Sequence, residues 1–352
     1  MKKIKSIPVY LMLVVLCSIF VVSCSEDNSV TPPPVEPYHY DSARFNWKVD
    51  TLFGQGFYAG LWAKDTNDIF ITNVFTNRLY RIQNSVKSYI QYPVNTYLGL
   101  VTGDEMNNGY VVATKLVGSI YQPFLQKFEG NIFVEISNPQ NLERNFFFNA
   151  VMIKNPNEMW FGADGFIVKF DGTNLTSYPL EDSTTKILKF FYDENSKFKI
   201  LCSLYHPELF GGRTEFLIYE FTENKWERIY GDLENPRPLR YYIINKDVAA
   251  VNGNIIFKLT DNVLIPTLNV VPKFFQFPCN GQSFNDIIIA ANDQLSDCYA
   301  SLFHWNGNRW SFELCGYWVD PSTEIYLIKE YLYYCISYDQ NGRTYLMRGL
   351  KK

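Results

Sequence analysis

The sequence predicts an all-β fold made of repeated four-stranded units, and three observations support this prediction. Aromatic residues make up 17% of the 352 residues, a density that favours β-strands. Short apolar or alternating runs are separated, roughly every eight to twelve residues, by Asn, Asp or Gly, as strands and turns are in all-β proteins. The third observation is that these runs repeat along the chain.

Three segments align with one another, each as a turn, a strand, a gap, a second strand, a tight turn and a third strand. They cover residues 67–84, 157–178 and 285–312. Weaker copies begin near residues 108, 195, 245 and 330. The spacing averages about 44 residues, the size of a four-stranded antiparallel β-propeller blade. Seven starting points predict a seven-bladed β-propeller, with six or eight blades as alternatives.

The two ends of the repeat region are predicted to close the ring together. The last unit stops at residue 352 one strand short, whereas residues 45–52 precede the first full unit and match the outer-strand pattern of residues 224–228 and 308–312. A propeller that leaves its first and last blades unjoined exposes raw sheet edges. We therefore expect residues 45–52 to be the outer strand of the last blade.

The N-terminal segment is typical of an export signal. A basic start is followed by a short apolar run over residues 9–22, too short to span a bilayer comfortably. The run ends in Val21-Val22-Ser23-Cys24, which resembles the lipobox of bacterial lipoproteins. This resemblance implies cleavage after residue 23 and acylation of Cys24, which would anchor the chain to a lipid bilayer. The predicted organisation is a signal peptide at 1–23, a lipidated, proline-rich tether at 24–43 and one propeller domain at 44–352.

The residues after the cysteine bear on location. Ser25-Glu26-Asp27 resembles the acidic signal of lipoproteins exported to the cell surface, so the expected location is the outer membrane, facing outward, with the periplasmic face as the alternative. Loss of the three lysines in residues 1–23 changes the net charge of −4 to −7. Because nucleic acid binds surfaces rich in Lys and Arg, a chain with this negative net charge is not expected to have nucleic acid as a partner.

One unit carries a more specific motif. Residues 159–172 contain a Trp-Phe-Gly run, a glycine turn and a basic-aromatic-Asp-Gly strand end, and they resemble the blade motif of two-component-regulator-type propellers. Each part has a structural reason: Trp160 is expected to fill the space between neighbouring sheets, Gly162 to allow their close approach, and Gly172 to supply a positive φ in a turn.

The remaining cysteines give one geometric hypothesis. Cys17 lies in the signal and Cys24 in the lipobox, which leaves five, and no zinc or other cofactor motif is present. If Asn306-Gly307 forms a two-residue turn, Cys298 lies directly opposite Cys315, where a cross-strand disulfide is feasible. A Cys298–Cys315 disulfide is therefore a hypothesis, and no metal site is predicted.

The sequence favours binding over catalysis. Only His39, His206 and His304 are available as bases, no nucleophile elbow or phosphate loop is present, and paired carboxylates cannot be identified by spacing. The expected function is binding of a glycan, peptide or partner protein. A polysaccharide hydrolase or lyase is the first alternative, and a structural component of the cell envelope is the second.

Candidate ligand-binding residues lie in the loops between the second and third strands, which share one face of a propeller. Mixed charges, amides and aromatics there suit glycan or peptide recognition. The candidates are Asn73, Phe75, Arg78, Asp164, His206, Arg213, Asp293, Asp297, Asp339 and Asn341. The longest of these loops, near residues 205–213, is the leading candidate for ligand binding.

Overall fold

The computed structural model describes thirteen segments of the chain. They are residues 42–52, 58–73, 76–129, 131–137, 148–209, 212–233, 239–253, 255–270, 279–291, 301–315, 324–329, 332–338 and 344–352. All lie within one compact unit, His39–Lys352. The predicted signal peptide, the acylation of Cys24 and nearly all of the tether lie outside the described residues. In the segments that are described, no helix is long and apolar enough to cross a membrane.

The described strands form seven four-stranded antiparallel sheets, one for each of the seven starting points in the sequence. The first sheet contains β2 (Tyr58–Asp65), β3 (Asp68–Asn73), β4 (Arg78–Gln83) and β5 (Val86–Gln91). The second contains β6 (Thr96–Gly103), β7 (Gly109–Val117), β8 (Ile120–Glu129) and β9 (Ile132–Ser137). The third contains β10 (Ala150–Asn155), β11 (Glu158–Ala163), β12 (Phe166–Phe170) and β13 (Leu175–Pro179).

The same order continues through the other sheets. The fourth sheet contains β14 (Lys186–Tyr192), β15 (Phe198–His206), β16 (Arg213–Thr222) and β17 (Lys225–Gly231), and the fifth contains β18 (Arg240–Ile244), β19 (Asp247–Asn252), β20 (Ile255–Thr260) and β21 (Val263–Asn269). The sixth contains β22 (Cys279–Ser283), β23 (Asp286–Ala291), β24 (Ser301–Trp305) and β25 (Trp310–Cys315). The seventh contains β26 (Glu324–Lys329), β27 (Leu332–Tyr338), β28 (Thr344–Lys351) and β1 (Phe45–Thr51).

The sheets are arranged as a β-propeller, which confirms the predicted all-β architecture with four-stranded antiparallel blades. First strands of successive sheets contact each other: β2 with β6, β6 with β10, β10 with β14, β18 with β22, β22 with β26, and β26 with β2. The fourth and fifth sheets pack through a shared core that includes Phe191 and Tyr241. First strands therefore surround the axis, and fourth strands lie at the outside.

The predicted ring closure is confirmed. β1 pairs with β28 along its whole length, from Phe45 opposite Lys351 to Thr51 opposite Tyr345. Glu313 of the sixth sheet holds the start of β1, because its carboxylate accepts the backbone N–H of Arg44 at 2.9 Å and of Phe45 at 3.1 Å. The N-terminal strand thus completes the seventh sheet and is also bonded to the sixth.

Apolar side chains fill the spaces between neighbouring sheets. Trp160 is buried and packs with Phe198, Phe221 and Trp226 of the next sheet, as the motif predicts. A Cβ on Gly162 would lie 2.6 Å from Cγ2 of Ile187, so the glycine is required for close packing of the third and fourth sheets.

One predicted turn differs from the structure. Gly172 and Gly307 have positive φ values of 93° and 87°, as expected, but each lies in a four-residue loop rather than a two-residue turn. Trp305 pairs with Trp310, and an irregularity further along β24 sets Cys315 opposite Ser301. The reason for pairing Cys315 with Cys298 is therefore removed; Cys298 and the Cys315 side chain lie outside what the structure describes. Cys202 and Cys279 are buried free thiols, and burial raises the pKa of both.

Candidate functional site

The loops between second and third strands lie at one end of the sheets, together with the connections from each sheet to the next. We call this end the loop face. Every described sheet has the same antiparallel strand order, so strand direction alternates identically in each. Five of the ten predicted ligand residues are described: Asn73, Arg78, Asp164, His206 and Arg213. The other five lie outside the described residues: Phe75, Asp293, Asp297, Asp339 and Asn341.

Two described candidates have local structural roles. Asn73 is fully buried, and its Oδ1 accepts the backbone N–H of Thr76 at 3.1 Å, which shapes its own turn. Arg78 donates from Nε to Gln91 Oε1 at 2.9 Å, and its guanidinium lies 4.4 Å from the ring centre of Tyr89. The structure does not bring either residue to the other three.

His206 and Arg213 are direct cross-strand partners at the ends of β15 and β16. His206 Nδ1 lies 2.8 Å from Glu208 Oε1, and its Nε2 lies 3.0 Å from Glu215 Oε2. Arg213 donates from Nη2 to the backbone carbonyl of Asp232 at 3.0 Å. The hairpin near residues 205–213 therefore brings two predicted ligand-binding residues, His206 and Arg213, together.

Glu215 is the buried centre of this group. Its side chain is only 2% exposed, and it contacts His206 through one carboxylate oxygen and Arg228 Nη2 through the other. A buried carboxylate is strongly destabilising unless charges and hydrogen bonds compensate it. Arg228 and His206 supply both, so the ends of β15, β16 and β17 are fixed to one another.

The two carboxylates control the charge of His206. Partial burial lowers the pKa of the imidazole, but the hydrogen bonds with Glu208 and Glu215 outweigh it, so the pKa of His206 is raised from 6.5. The protonated ring donates a hydrogen bond from each nitrogen and keeps no lone pair. In that protonated form the ring orients the carboxylates and has no nitrogen free to accept a proton.

The connection between the third and fourth sheets is bonded to the turn that contains Asp164 and Gly165. Gly165 N donates to Thr185 O at 2.8 Å, and Leu180 N donates to Gly165 O at 2.8 Å. The side-chain and backbone hydrogen bonds from Thr184 are the main causes of the lowered pKa of Asp182, and the charge of His206 adds to them. Asp164 precedes Gly165 in its turn, and Tyr205 precedes His206 with its side chain on the other face of the sheet. We call Asp164, Asp182, Tyr205, His206 and Glu208 together the His206 rim.

The His206 rim combines an exposed aromatic ring with fixed charges. Tyr205 is 61% exposed and Asp164, Asp182 and Glu208 are exposed as well. The Asp164 carboxylate accepts a hydrogen bond from Asn149 Nδ2 at 2.6 Å. A Cβ on Gly165 would lie 2.4 Å from the Ser183 backbone, so the turn beside Asp164 packs tightly on the inter-sheet connection. The rim is a preorganised polar surface on the side of the third sheet, and the ring of Tyr205 lies at the same strand end on the side of the fifth sheet.

The described part of the chain holds no group of three or more His, Cys, Asp or Glu side chains placed to bind a metal ion. His304 is buried in the sixth sheet, where its Nε2 lies 2.5 Å from Asp286 Oδ1. His206 is therefore the one solvent-facing histidine among the residues that the structure describes.

Sequence reasoning missed the partners that organise the rim. Glu215 follows Arg213 by two residues, so strand periodicity places both on one face, and an acid between apolar residues of a strand is a signal of a buried ion pair. The contact of Arg228 with Glu215 could not be predicted from strand periodicity, because an irregularity in β17 opposite Ile218 and Tyr219 shifts the register of the strand. The electrostatic interaction of Asp182 with His206 depends on the packing of the third and fourth sheets.

No protein-family model matches the chain, and no curated protein matches it in sequence. Several solved structures share its fold. The structure described as YCF48 bound to D1 peptide has 11% identity and a TM-score of 0.62, covering 89% of this chain and 100% of that one. A streptogramin B lyase has 11% identity and a TM-score of 0.56, covering 87% and 99%. BBS1N in complex with ARL6DN has 9% identity and a TM-score of 0.56, covering 89% and 98%. These similarities show the β-propeller fold.

Proposed function

We propose that this chain is a membrane-anchored lipoprotein whose seven sheets form one closed seven-bladed ring, and that it binds a peptide or protein partner at the His206 rim without catalysis. The observation that carries this proposal is the bonding of His206. Because both ring nitrogens contact carboxylates at 2.8 and 3.0 Å, the residue holds the shape and charge of the rim. Such an arrangement suits recognition better than proton transfer.

The charge of the rim supports a partner with basic side chains. Asp164, Asp182 and Glu208 are exposed carboxylates, whereas both ring nitrogens of His206 are bonded within the group. Exposed Tyr205 adds a rigid aromatic surface of the kind that anchors peptide side chains. A peptide segment that crosses the end of β15 matches both features, with Lys or Arg at the carboxylates on one side and an apolar residue at the Tyr205 ring on the other.

The fold neighbours add support of a different kind. One was solved with D1 peptide and another with ARL6DN, so propellers of similar topology bind peptides or proteins. The streptogramin B lyase has the same fold, and fold alone does not assign a reaction. The bonding of His206 is what favours binding in this chain.

The membrane anchor in this proposal is acylated Cys24. The lipobox-like residues 21–24 and the proline-rich segment after them support it, since multiple acyl chains on one residue bind a bilayer stably. The acidic residues that follow Cys24 support an outward-facing position in the outer membrane.

The anchor is tested by metabolic labelling with a palmitate analogue in cells. Label is expected in the wild type and is expected to be absent from Cys24→Ala. Protease treatment of intact cells should degrade the wild-type domain if it faces outward. Label retained by Cys24→Ala would contradict acylation at this residue, and protection of the domain in intact cells would favour the periplasmic face.

Partner binding is tested with the mature chain on arrays of basic, acidic and neutral peptides and on a glycan array. Basic peptides are expected to bind, and Tyr205→Ala and Glu208→Gln should each weaken binding about 5-fold or more. Tyr89→Ala is the matched control, because Tyr89 is an exposed tyrosine of another sheet. Wild-type affinity in both rim variants would contradict the proposal, and release of products from a polysaccharide would favour the enzymatic alternative.

A further inference from the structure

A cleft of about 620 Å³ opens between the fourth and fifth sheets, at the end opposite the loop face. Its base is apolar, since Phe191, Ile218 and Val248 line it and are nearly fully buried. Its sides are polar and belong to the strand ends and turns around it. The volume lies in the range of small-molecule sites, and the proposed function makes no use of it.

Three tight turns give the cleft a fixed shape. In the first turn, Asp193 Oδ1 accepts the backbone N–H groups of Asn195 and Lys197, each at 2.9 Å. The second turn contains Asn245 with φ of 57°, and the third contains Asp261 and Asn262 with φ of 49° and 63°. Asn and Asp tolerate this left-handed conformation better than other residues with a side chain. The cleft is therefore formed before any ligand arrives.

Most charges on the sides of the cleft are paired with each other. Lys199 Nζ lies 2.7 Å from Asp193 Oδ2 and 3.5 Å from Glu220 Oε2. Lys258 Nζ lies 2.9 Å from Asp247 Oδ1 and 3.2 Å from Glu194 Oε1. With Lys197, which lies 2.9 Å from Glu220 Oε1, the paired side chains are three lysines and four carboxylates, so both signs are present and their sum is slightly negative.

Two lining residues differ from this pattern. Lys246 and Asp261 are exposed, and neither forms an ion pair with any residue that the structure describes. Lys246 lies in the turn between β18 and β19, and Asp261 in the turn between β20 and β21. These turns are two strand spacings apart, about 10 Å. The cleft thus presents one available cation and one available anion on turns about 10 Å apart.

We propose that this cleft binds a short zwitterionic peptide of about three residues, with its free carboxylate at Lys246 and its free ammonium at Asp261. An extended chain of three residues spans about 10 Å, which matches the separation of the two turns. The apolar base accommodates the side chains, while the paired carboxylates beside it accept hydrogen bonds from the peptide N–H groups and the paired lysines donate to its carbonyl oxygens.

The test uses isothermal titration calorimetry with trialanine as the probe. Trialanine is expected to bind the mature chain, and the same peptide with an acetylated N-terminus and an amidated C-terminus should bind at least 10-fold more weakly. Lys246→Met and Asp261→Asn should each weaken binding of the free peptide about 10-fold. Asn keeps the left-handed turn that Asp261 occupies.

Lys225→Met is the matched control, because Lys225 is an exposed lysine at the same end of the fourth sheet and does not line the cleft. It should bind trialanine like the wild type. Three results would overturn the proposal: equal affinities for free and capped peptides, unchanged binding in both cleft variants, or no binding of trialanine at millimolar concentration. Thermal unfolding of each variant establishes that its fold is intact. Failure at this cleft leaves the His206 rim untouched, since the two sites share no residue.

Discussion

At the scale of single residues, Glu215 shows how a buried charge organises a surface group. The carboxylate is almost fully excluded from water, and Arg228 and His206 are its compensating partners. Removing one member of a buried ion pair leaves the other uncompensated, which typically costs several kcal/mol. The rim therefore depends on a side chain that a ligand never touches.

We predict that Glu215→Gln destabilises the protein by about 1–2 kcal/mol, less than for a fully buried pair because Arg228 is 39% exposed, and lowers the pKa of His206 toward its ordinary value. The amide keeps the shape of the side chain but leaves the Arg228 charge unmatched. Chemical denaturation measures the first effect, and an NMR titration of the imidazole measures the second. Glu208→Gln is the control: it should lower the same pKa with little change in stability, because Glu208 is 62% exposed. An unchanged His206 pKa in Glu215→Gln would refute the assigned contact.

The same group predicts a pH dependence. The pKa of His206 is raised above 6.5, so its contribution to stability is fully present below pH 6.5 and is lost as the pH rises through the raised value. The pKa of Glu208 is lowered from 4.5, first by a backbone hydrogen bond and then by His206. Its contribution is present above pH 4.5 and is lost as the pH falls.

The difference in unfolding free energy between the wild type and His206→Gln should therefore be largest between about pH 4.5 and 6.5 and should shrink above that window. Urea denaturation at a series of pH values measures it. A difference that grows from pH 6.5 to pH 9 would show that the histidine is stabilised as the neutral ring.

At the scale of strands and turns, packing between sheets explains why one glycine cannot be replaced. A Cβ at Gly162 would lie 2.6 Å from Ile187 Cγ2 and 2.7 Å from Ile187 Cβ. Both residues lie in strands that are closely packed at the boundary of the third and fourth sheets. Adding even one methyl group to such a boundary requires the sheets to separate.

Gly162→Ala should destabilise the protein by about 1–3 kcal/mol, and Ile187→Ala should do so by about 2–5 kcal/mol because it leaves a cavity. The double variant should lose less than the sum, since the new methyl group occupies part of that cavity. A double-mutant cycle in denaturant measures this coupling. Additive losses would mean that the two side chains do not compete for the same space.

The sequence predicts the repeated strands and their order well, but it does not predict the exact register in which neighbouring strands pair. Strand periodicity and the spacing of Asn, Asp and Gly predict the repeat unit and the closing strand, because both follow from local chemistry. The loop after Trp305 differs from its prediction because Asn306 Oδ1 accepts the backbone N–H groups of Asn308 and Arg309, each at 3.0 Å, and so stabilises a longer turn. At the rim, the length of the loop predicts His206 and Arg213 as candidates. The contact between Glu215 and Arg228 depends on the irregularity in β17, which no local sequence pattern predicts.

At the scale of the whole molecule, the ring depends on a strand from the opposite end of the chain. β1 contributes the outer position of the seventh sheet, and the Asp50–Arg348 ion pair at 2.8 Å links it to β28 in a buried position. Without β1, the edge of β28 and the partners of Glu313 and Arg348 would be exposed or unmatched. Loss of this one strand affects two neighbouring sheets at once.

A chain that begins at Gln55 should therefore unfold at a markedly lower temperature than one that begins at Ser42, which keeps all of β1. For a protein of this size, each lost kcal/mol lowers the melting temperature by about 2–4 °C. Calorimetry of the two chains compares them directly. Equal melting temperatures would show that β1 is an accessory strand and not the closure of the ring.

Ring closure also determines how the protein responds to mechanical load. Tension applied to the chain on the N-terminal side of β1 reaches the strand at Arg44 and Phe45, whose N–H groups are bound by Glu313. Force along β1 would shear all of its bonds to β28 together, because the pairing extends over the whole strand. Force across the sheet would instead peel the strand away one residue at a time, starting at the Glu313 contact. The closure is thus strongest when pulled parallel to its outer strand, and the direction of pull decides whether β1 holds or separates.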